Sequence, residues 1–208
     1  MLYHLRRLGL LATLVTLAFS SLLANPATGQ LTKTCGARTV SQPFAPWLDL
    51  SHYFLLTGGD LEAASGWTLA GGARLVAGNE PFLVHGGGDT QSLLLPSGSS
   101  AGTAAACFDT DEPTLRFFVR NTGSPLSTLA VEAHVSTTVL GVTTQTTLPL
   151  GVVPGTTQSW QPSLPLVFEL SLNQLAGGTA SVVFGFTPLG AGGNWQIDDV
   201  YVDPIKER

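Results

Sequence analysis

The sequence contains few charged residues and few cysteines. Asp, Glu, Lys and Arg make up 11% of the 208 residues, less than half of the roughly 25% that is usual in globular proteins. Nine basic residues stand against fourteen acidic ones, for a net charge of −5, and no segment concentrates positive charge as a phosphate-binding surface would. This composition argues against nucleic acid as a partner, and the 44% hydrophobic content argues against an intrinsically disordered chain.

The sequence also lacks an apolar stripe of helical period longer than two turns. Apolar residues instead recur at every second position, as in residues 114–120, where they alternate with Arg116, Phe118 and Arg120. This period is typical of a strand, and it predicts that the second face of this strand is exposed to water. The segments 129–135 and 182–186 show the same alternation.

Glycine and proline, with 24 and 13 residues, cluster between these runs. Such clusters form turns, since Gly adopts positive φ and Pro fixes φ without donating to a ladder. We therefore expect about eight to ten strands in an all-β fold, an antiparallel β-sandwich or jelly roll. The glycine-rich segment 76–89 has no Lys after its glycines, so we interpret it as a turn between two strands and not as a phosphate loop.

The N-terminus has the pattern of a secretion signal, with Arg6 and Arg7 followed by an uncharged apolar run from Leu8 to Ala24. We expect cleavage near Gly29, which divides the chain into a signal peptide (1–29), an N-terminal segment (30–57) and a β-sandwich domain (58–208). The mature protein would then be extracellular, without membrane contact. An uncleaved anchor is the alternative, because the apolar run is close to the ~17–25 residues that span a bilayer.

Two cysteines, Cys35 and Cys107, are present. In an oxidising compartment an even number predicts one disulfide, which would tie the N-terminal segment to the domain. Two buried free thiols are an alternative. A zinc site is a weaker one, because the cysteines have no CxxC spacing.

Sequence features of hydrolases are weak. Residues 98–102 match the G-x-S-x-G pattern, but a nucleophile elbow needs a strand before it and a helix after it, and no helical period follows. Asp109, Asp111 and Glu112 could suggest the paired carboxylates of a glycosidase, yet acidic residues before a proline usually form solvated turns. We therefore expect a protein that is not an enzyme.

Three motifs resemble a known family. Gly58-Gly59-Asp60-Leu61-Glu62 precedes Gly66-Trp67, residues 91–96 read Gln-Ser-Leu-Leu-Leu-Pro, and residues 195–202 read Trp-Gln-Ile-Asp-Asp-Val-Tyr-Val. Together they resemble the galactose-binding-like jelly rolls of bacterial carbohydrate-binding modules of the CenC type, over residues 58–203. Leu61 stands where that family usually has Phe.

The resemblance implies a metal and a ligand. In that family a Glu of the first turn and the first Asp of the last strand hold a structural calcium ion, which here implies Glu62 and Asp198, with Asp60 as a further candidate. Calcium takes six to eight oxygen ligands and can link distant strands through carboxylates. The resemblance also implies non-catalytic binding of polysaccharide or cell-wall glycan.

Aromatic side chains are the candidates for sugar contact, because the C–H faces of sugar rings stack on aromatic planes. Trp67 and Trp195 lie inside the framework motifs, so we expect both in the core. Trp160, in a polar stretch, is the first candidate for a sugar platform and Trp47 the second. The alternative function is a structural or adhesive extracellular protein that makes protein contacts without binding sugar, which the absence of a neighbouring catalytic domain favours.

Overall fold

Two antiparallel β-sheets contain about half of the residues that the computed structural model describes, which are 35–109, 114–170 and 179–204. The predicted signal peptide lies outside these ranges. Within them, helical structure is limited to a 3₁₀ turn at Ala45–Trp47, and no helix is long and apolar enough to cross a membrane. The strands are β1 (Phe54–Leu55), β2 (Thr68–Ala70), β3 (Arg74–Ala77), β4 (Gln91–Pro96), β5 (Ser100–Gly102), β6 (Ala106–Phe108), β7 (Thr114–Asn121), β8 (Thr128–Val139), β9 (Val142–Pro154), β10 (Gln161–Pro162), β11 (Leu166–Val167), β12 (Ala180–Leu189) and β13 (Asn194–Asp203).

The first sheet is built around the last strand of the chain. Its order is β10-β7-β13-β4-β3, with β1 added to β13 and β11 to β7. The second sheet has the order β2-β5-β12-β8-β9, with β6 added to β12. All of these pairs are antiparallel, and the predicted all-β sandwich is confirmed.

Strands β2 and β3 show how the chain crosses between the sheets. They follow one another in sequence but belong to different sheets, and Gly71 and Gly72 between them have φ of 62° and 90°. These left-handed values favour glycine. The turn at these two glycines therefore ends β2 and directs the chain into β3 of the other sheet.

The main core lies between the sheets and follows the predicted alternation. Leu115, Phe117 and Val119 of β7 are fully buried, and the Phe117 ring meets Phe186 of β12 edge-on with centroids 5.1 Å apart. Trp67 and Trp195 belong to the same core cluster, which confirms their predicted burial.

The outer face of β7 differs from the expectation. Arg116 is 6% exposed and Phe118 0% exposed, so the prediction of a water-exposed second face is wrong. The N-terminal segment covers this face, because Phe44 and Tyr53 pack against Phe118 and Tyr201 in a second cluster. Alternation within one strand carries no information about a segment that covers it from elsewhere in the chain.

The predicted disulfide is present between Cys35 and Cys107. It joins the beginning of the described chain to β6, so it attaches the segment that covers the first sheet to a strand of the second sheet. The segment is also held by backbone hydrogen bonds between Ser41 and Tyr53 in both directions.

The Gly58-Gly59 turn packs directly on β13. A Cβ on Gly59 would lie 2.7 Å from the carbonyl oxygen of Val200, closer than real contacts allow. The backbone N–H of Val200 donates to the Gly59 carbonyl, and the pairing of β13 with β7 shifts register between Asp198 and Tyr201. This bulge turns two neighbouring carboxylates, Asp198 and Asp199, into the protein interior, where both are 1% exposed.

Candidate functional site

An aromatic cluster covers the outer face of the first sheet. Phe118 from β7 and Tyr201 from β13 extend from the sheet, and Phe44 and Tyr53 from the N-terminal segment pack over them; each is at most 2% exposed. The Phe44 ring stacks on Phe118 with centroids 5.4 Å apart and meets Tyr53 edge-on at 4.9 Å. We call these four residues the outer aromatic cluster.

Both predicted platform residues, Trp160 and Trp47, are half-buried and pack against the outer aromatic cluster. The Trp47 ring meets Phe118 edge-on at 5.3 Å and Phe82 at 4.8 Å. Phe82 is 45% exposed. The structure thus brings two tryptophans, 113 positions apart in the chain, to the same face of one sheet.

Arg120 lies beside the Trp160 ring and is hydrogen-bonded to Gln196. The guanidinium carbon of Arg120 lies 4.9 Å from the Trp160 ring centroid, and Arg120 Nε donates to Gln196 Oε1 at 2.5 Å. Burial lowers the pKa of Arg120, although a guanidinium remains charged at physiological pH. An aromatic plane beside a guanidinium and an amide is the kind of surface that can stack on a sugar ring and hydrogen-bond to its hydroxyl groups.

A cleft of about 780 Å³ lies beside Trp47. Its polar wall is a network in which Asp49 accepts hydrogen bonds from the Tyr53 hydroxyl at 2.6 Å and from Arg116 Nη1 at 2.5 Å. Burial acts to raise the pKa of Asp49, but the hydrogen bonds from Tyr53, Ser51 and Arg116 outweigh it and lower the pKa. Burial and the adjacent Asp49 raise the pKa of Tyr53.

The outer face of the second sheet has a different composition. Strands β8 and β9 contain no Phe, Tyr or Trp, and Phe184 and Phe186 of β12 point into the main core. His134 Nε2 lies 3.1 Å from a carboxylate oxygen of Glu132. This face therefore offers hydroxyl and charged groups but no aromatic platform on its two longest strands.

The predicted calcium ligands lie on either side of the connection between β3 and β4, residues 78–90. The carboxylate of Glu62 accepts the backbone N–H groups of Thr90 and Gln91 at 2.6 and 2.7 Å, and Asp198 accepts the N–H of Glu80 at 2.9 Å. These two side chains therefore bind opposite ends of the same connection. Asp60 is half-buried in the preceding turn.

A metal ion could bind Glu62 and Asp198 only through carboxylate lone pairs that hydrogen bonds do not already use. A carboxylate has about four lone-pair sites, and the described hydrogen bonds use three on Glu62 and two on Asp198. Burial acts to raise the pKa of Glu62, but its hydrogen bonds to Thr90 and Gln91 lower it. Each side chain keeps acceptor sites that a cation could use.

The β3–β4 connection carries a second group that the sequence did not reveal. The ligand atoms of His85, Asp89 and Asp199 all lie within 4.8 Å of one another. Burial raises the pKa of Asp199 to about 8, and the charges of Asp198, Glu80 and Asp89 act in the same direction. The available signal was a His and an Asp on either side of three glycines, which we interpreted only as a turn.

Comparisons with known proteins return matches among solved structures. No protein-family model matches the sequence, and a search of curated proteins finds no match. The chain is similar to a xylan-binding domain of the CBM22 family, at 13% identity and a TM-score of 0.47, covering 76% of the chain and 97% of that domain. A CBM22 xylan-binding domain from Paenibacillus barcinonensis gives 14%, a TM-score of 0.42, and 67% and 86%.

A third similar structure is larger. The CBM22 and GH10 modules of the Clostridium thermocellum xylanase 10B, complexed with xylohexaose, match at 13% identity with a TM-score of 0.46. The match covers 67% of this chain and 26% of that one. All three matches are at 13–14% identity, with TM-scores of 0.42 to 0.47.

Proposed function

We propose that this protein is a secreted, non-catalytic module that binds polysaccharide or cell-wall glycan through the outer face of its first sheet. The observation that carries the proposal is the position of Trp47 and Trp160, which are both half-buried against the outer aromatic cluster. Each indole ring packs against the outer aromatic cluster on one side and keeps part of its surface accessible to solvent.

The neighbouring groups supply the polar part of the proposed site. Arg120 and Gln196 are held together by a hydrogen bond beside Trp160, so little side-chain freedom is lost when they bind a hydroxyl group. Asp49 and Arg116 are fixed in the same way beside Trp47. A rigid surface of aromatic planes and paired polar groups suits a chain of sugar rings, each of which has an apolar face and a hydroxyl rim.

Retention on insoluble polysaccharides tests the proposal. An aromatic contact is worth about 0.5–1.5 kcal/mol, and 1.4 kcal/mol is tenfold in affinity. Trp160→Ala and Trp47→Ala should therefore each weaken retention by about 2- to 12-fold, while circular dichroism stays unchanged. His134→Ala, on the outer face of the second sheet, is the matched control and should bind as the wild type does.

The retention measurements show which sheet carries the binding site, and they distinguish a glycan-binding module from a structural or adhesive protein. Loss of retention in His134→Ala with none in the tryptophan variants would place the site on the second sheet. If the wild type is not retained on any polysaccharide of a broad panel, the alternative of a structural or adhesive protein becomes the better account.

A calcium ion held by Glu62, Asp198 and Asp60 is the second part of the proposal. Support comes from the remaining acceptor capacity of Glu62 and Asp198. When bound, calcium would link the first turn to the last strand. The thermal midpoint of the wild type should then be higher in calcium than in chelator, and Glu62→Ala should remove most of this difference. If Glu62→Ala lowers the thermal midpoint by the same amount in calcium and in chelator, a metal at Glu62 is excluded.

A further inference from the structure

Three side chains outside the proposed sugar face form a compact group of metal-ligating atoms. His85 and Asp89 come from the β3–β4 connection, and Asp199 comes from the bulge in β13; their ligand atoms lie within 4.8 Å of one another. More than a hundred positions separate Asp199 from the other two. The long connection and the bulge bring the three together.

Asp199 is the unusual member of this group. Its side chain is 1% exposed, and neither carboxylate oxygen has a hydrogen-bond partner in the described part of the chain. The residue also has φ of 47°, a left-handed value that is costly for most residues other than glycine. Burying a carboxylate without a partner is strongly unfavourable, so this side chain points to a ligand that completes its environment.

The neighbouring carboxylates behave differently. Glu80 is equally buried, but it accepts the backbone N–H groups of Phe82 and Val84. Asp198 accepts those of Glu80 and Asp199. These two carboxylates fix the backbone of the connection and of the bulge, while the Asp199 oxygens stay available beside His85 and Asp89.

One pair of these ligand atoms already has the spacing that a small divalent cation requires. His85 Nδ1 lies 3.1 and 3.3 Å from the two carboxylate oxygens of Asp89. Two ligands at ~2.0–2.1 Å from a tetrahedral zinc ion are about 3.3 Å apart. His85 also lines an open pocket of about 630 Å³, so this member of the group can be reached from solvent.

We propose that His85, Asp89 and Asp199 form a binding site for a divalent transition-metal ion, with zinc as the best match. The imidazole nitrogen decides the class of metal, because calcium and magnesium prefer oxygen ligands alone whereas zinc accepts nitrogen and carboxylate oxygen together. The site is distinct from the calcium site proposed at Glu62, Asp198 and Asp60. It also does not depend on sugar binding.

A simple ion pair between His85 and Asp89 is the competing explanation. The two residues are four apart and His85 is 38% exposed, so such a pair can form at a solvated turn. It accounts for Asp89, but it leaves Asp199 buried without a partner. A metal ion accounts for all three side chains.

Zinc titration of the mature protein tests the proposal directly. The chain is first freed of metal with chelator, and isothermal titration with zinc chloride and with calcium chloride follows. We expect one zinc ion per chain, with affinity at least tenfold weaker in His85→Ala and in Asp199→Asn. Asp199→Asn keeps the side-chain volume and replaces the carboxylate by a weaker metal ligand, so it should fold; Asp89→Asn serves as a second variant if it does not.

Matched controls separate this site from other sources of binding. His134→Ala removes another surface histidine with a carboxylate beside it, and Glu62→Gln changes the proposed calcium site; both should bind zinc as the wild type does. Trp160→Ala should also bind zinc normally, so failure of the sugar-binding proposal leaves this result unaffected. The inference is overturned if the wild type binds no zinc, if His85→Ala and Asp199→Asn bind it unchanged, or if these variants lose calcium binding instead.

Discussion

Phe117 and Phe118 are neighbours on β7 that serve two different clusters, and replacing each by Ala separates their roles. Phe117 points into the main core and meets Phe186 at 5.1 Å. Phe118 points outward, with ring centroids 5.3, 5.4 and 5.6 Å from Trp47, Phe44 and Phe82. Both side chains are completely buried. Replacing a buried Phe by Ala costs about 3–5 kcal/mol, so both variants should lose a similar amount of stability.

The two variants should differ in function. Phe118→Ala removes the ring against which Trp47 packs, so polysaccharide retention should fall with stability, whereas Phe117→Ala should retain polysaccharide under conditions where it is folded. Urea unfolding gives the stability, and retention at low temperature gives the binding. A loss below about 1 kcal/mol for Phe118→Ala would refute the packing of the outer aromatic cluster, and equal loss of retention in both variants would refute its separate role.

Other parts of the structure allow tests of stability alone. Replacing both Cys35 and Cys107 by Ser should lower the free energy of unfolding by about 4 kcal/mol, the chain-entropy value for a sequence separation of 72; a loss under 1 kcal/mol in urea would contradict this. The lowered pKa of Asp49 means that its ionised form stabilises the fold above the ordinary value of 3.8, and that this stabilisation disappears as pH falls through the lower folded-state value. The free energy of unfolding should therefore fall less steeply in Asp49→Asn than in the wild type as the pH is lowered. Parallel curves of unfolding free energy against pH would exclude the hydrogen bonds of Asp49 as the cause. Leu140 is fully exposed at the tip of the β8–β9 hairpin, and φ is 50° there and 80° at Gly141; because type I′ turns favour Asn-Gly, Leu140→Asn should raise the thermal midpoint, and a fall would contradict the turn assignment.

The sequence predicted the inner side of the fold well, for a physical reason. In β7 and β12 the side chains that face the opposite sheet recur at every second position, and this period depends only on local backbone geometry. Burial of Trp67 and Trp195 followed from the motifs in which they lie. The described residues form thirteen strands, more than the eight to ten that we expected. The additional strands have only two or three residues, which is too short to show a period in the sequence.

Features that depend on distant parts of the chain were not predictable in the same way. Phe44 and Tyr53 cover β7 from a distant part of the chain, so Arg116 and Phe118 on its second face are buried although the local pattern includes two arginines. Trp160 was chosen as a candidate for its polar stretch, and nothing in the local sequence predicted that it and Trp47 would lie on one face. The approach of Asp199 to His85 and Asp89 depends on a bulge in one strand and a long connection between two others.

Tryptophan fluorescence tests the central claim, polysaccharide binding at the outer aromatic face, most directly. Trp67 and Trp195 are at most 8% exposed, so a change in emission on titration with soluble fragments of a retained polysaccharide should come mainly from Trp47 and Trp160. We expect a saturable change in the wild type that is largely lost in the double variant Trp47→Phe and Trp160→Phe. A saturable change that persists in the double variant, or polysaccharide binding without any change in the wild type, would contradict the account.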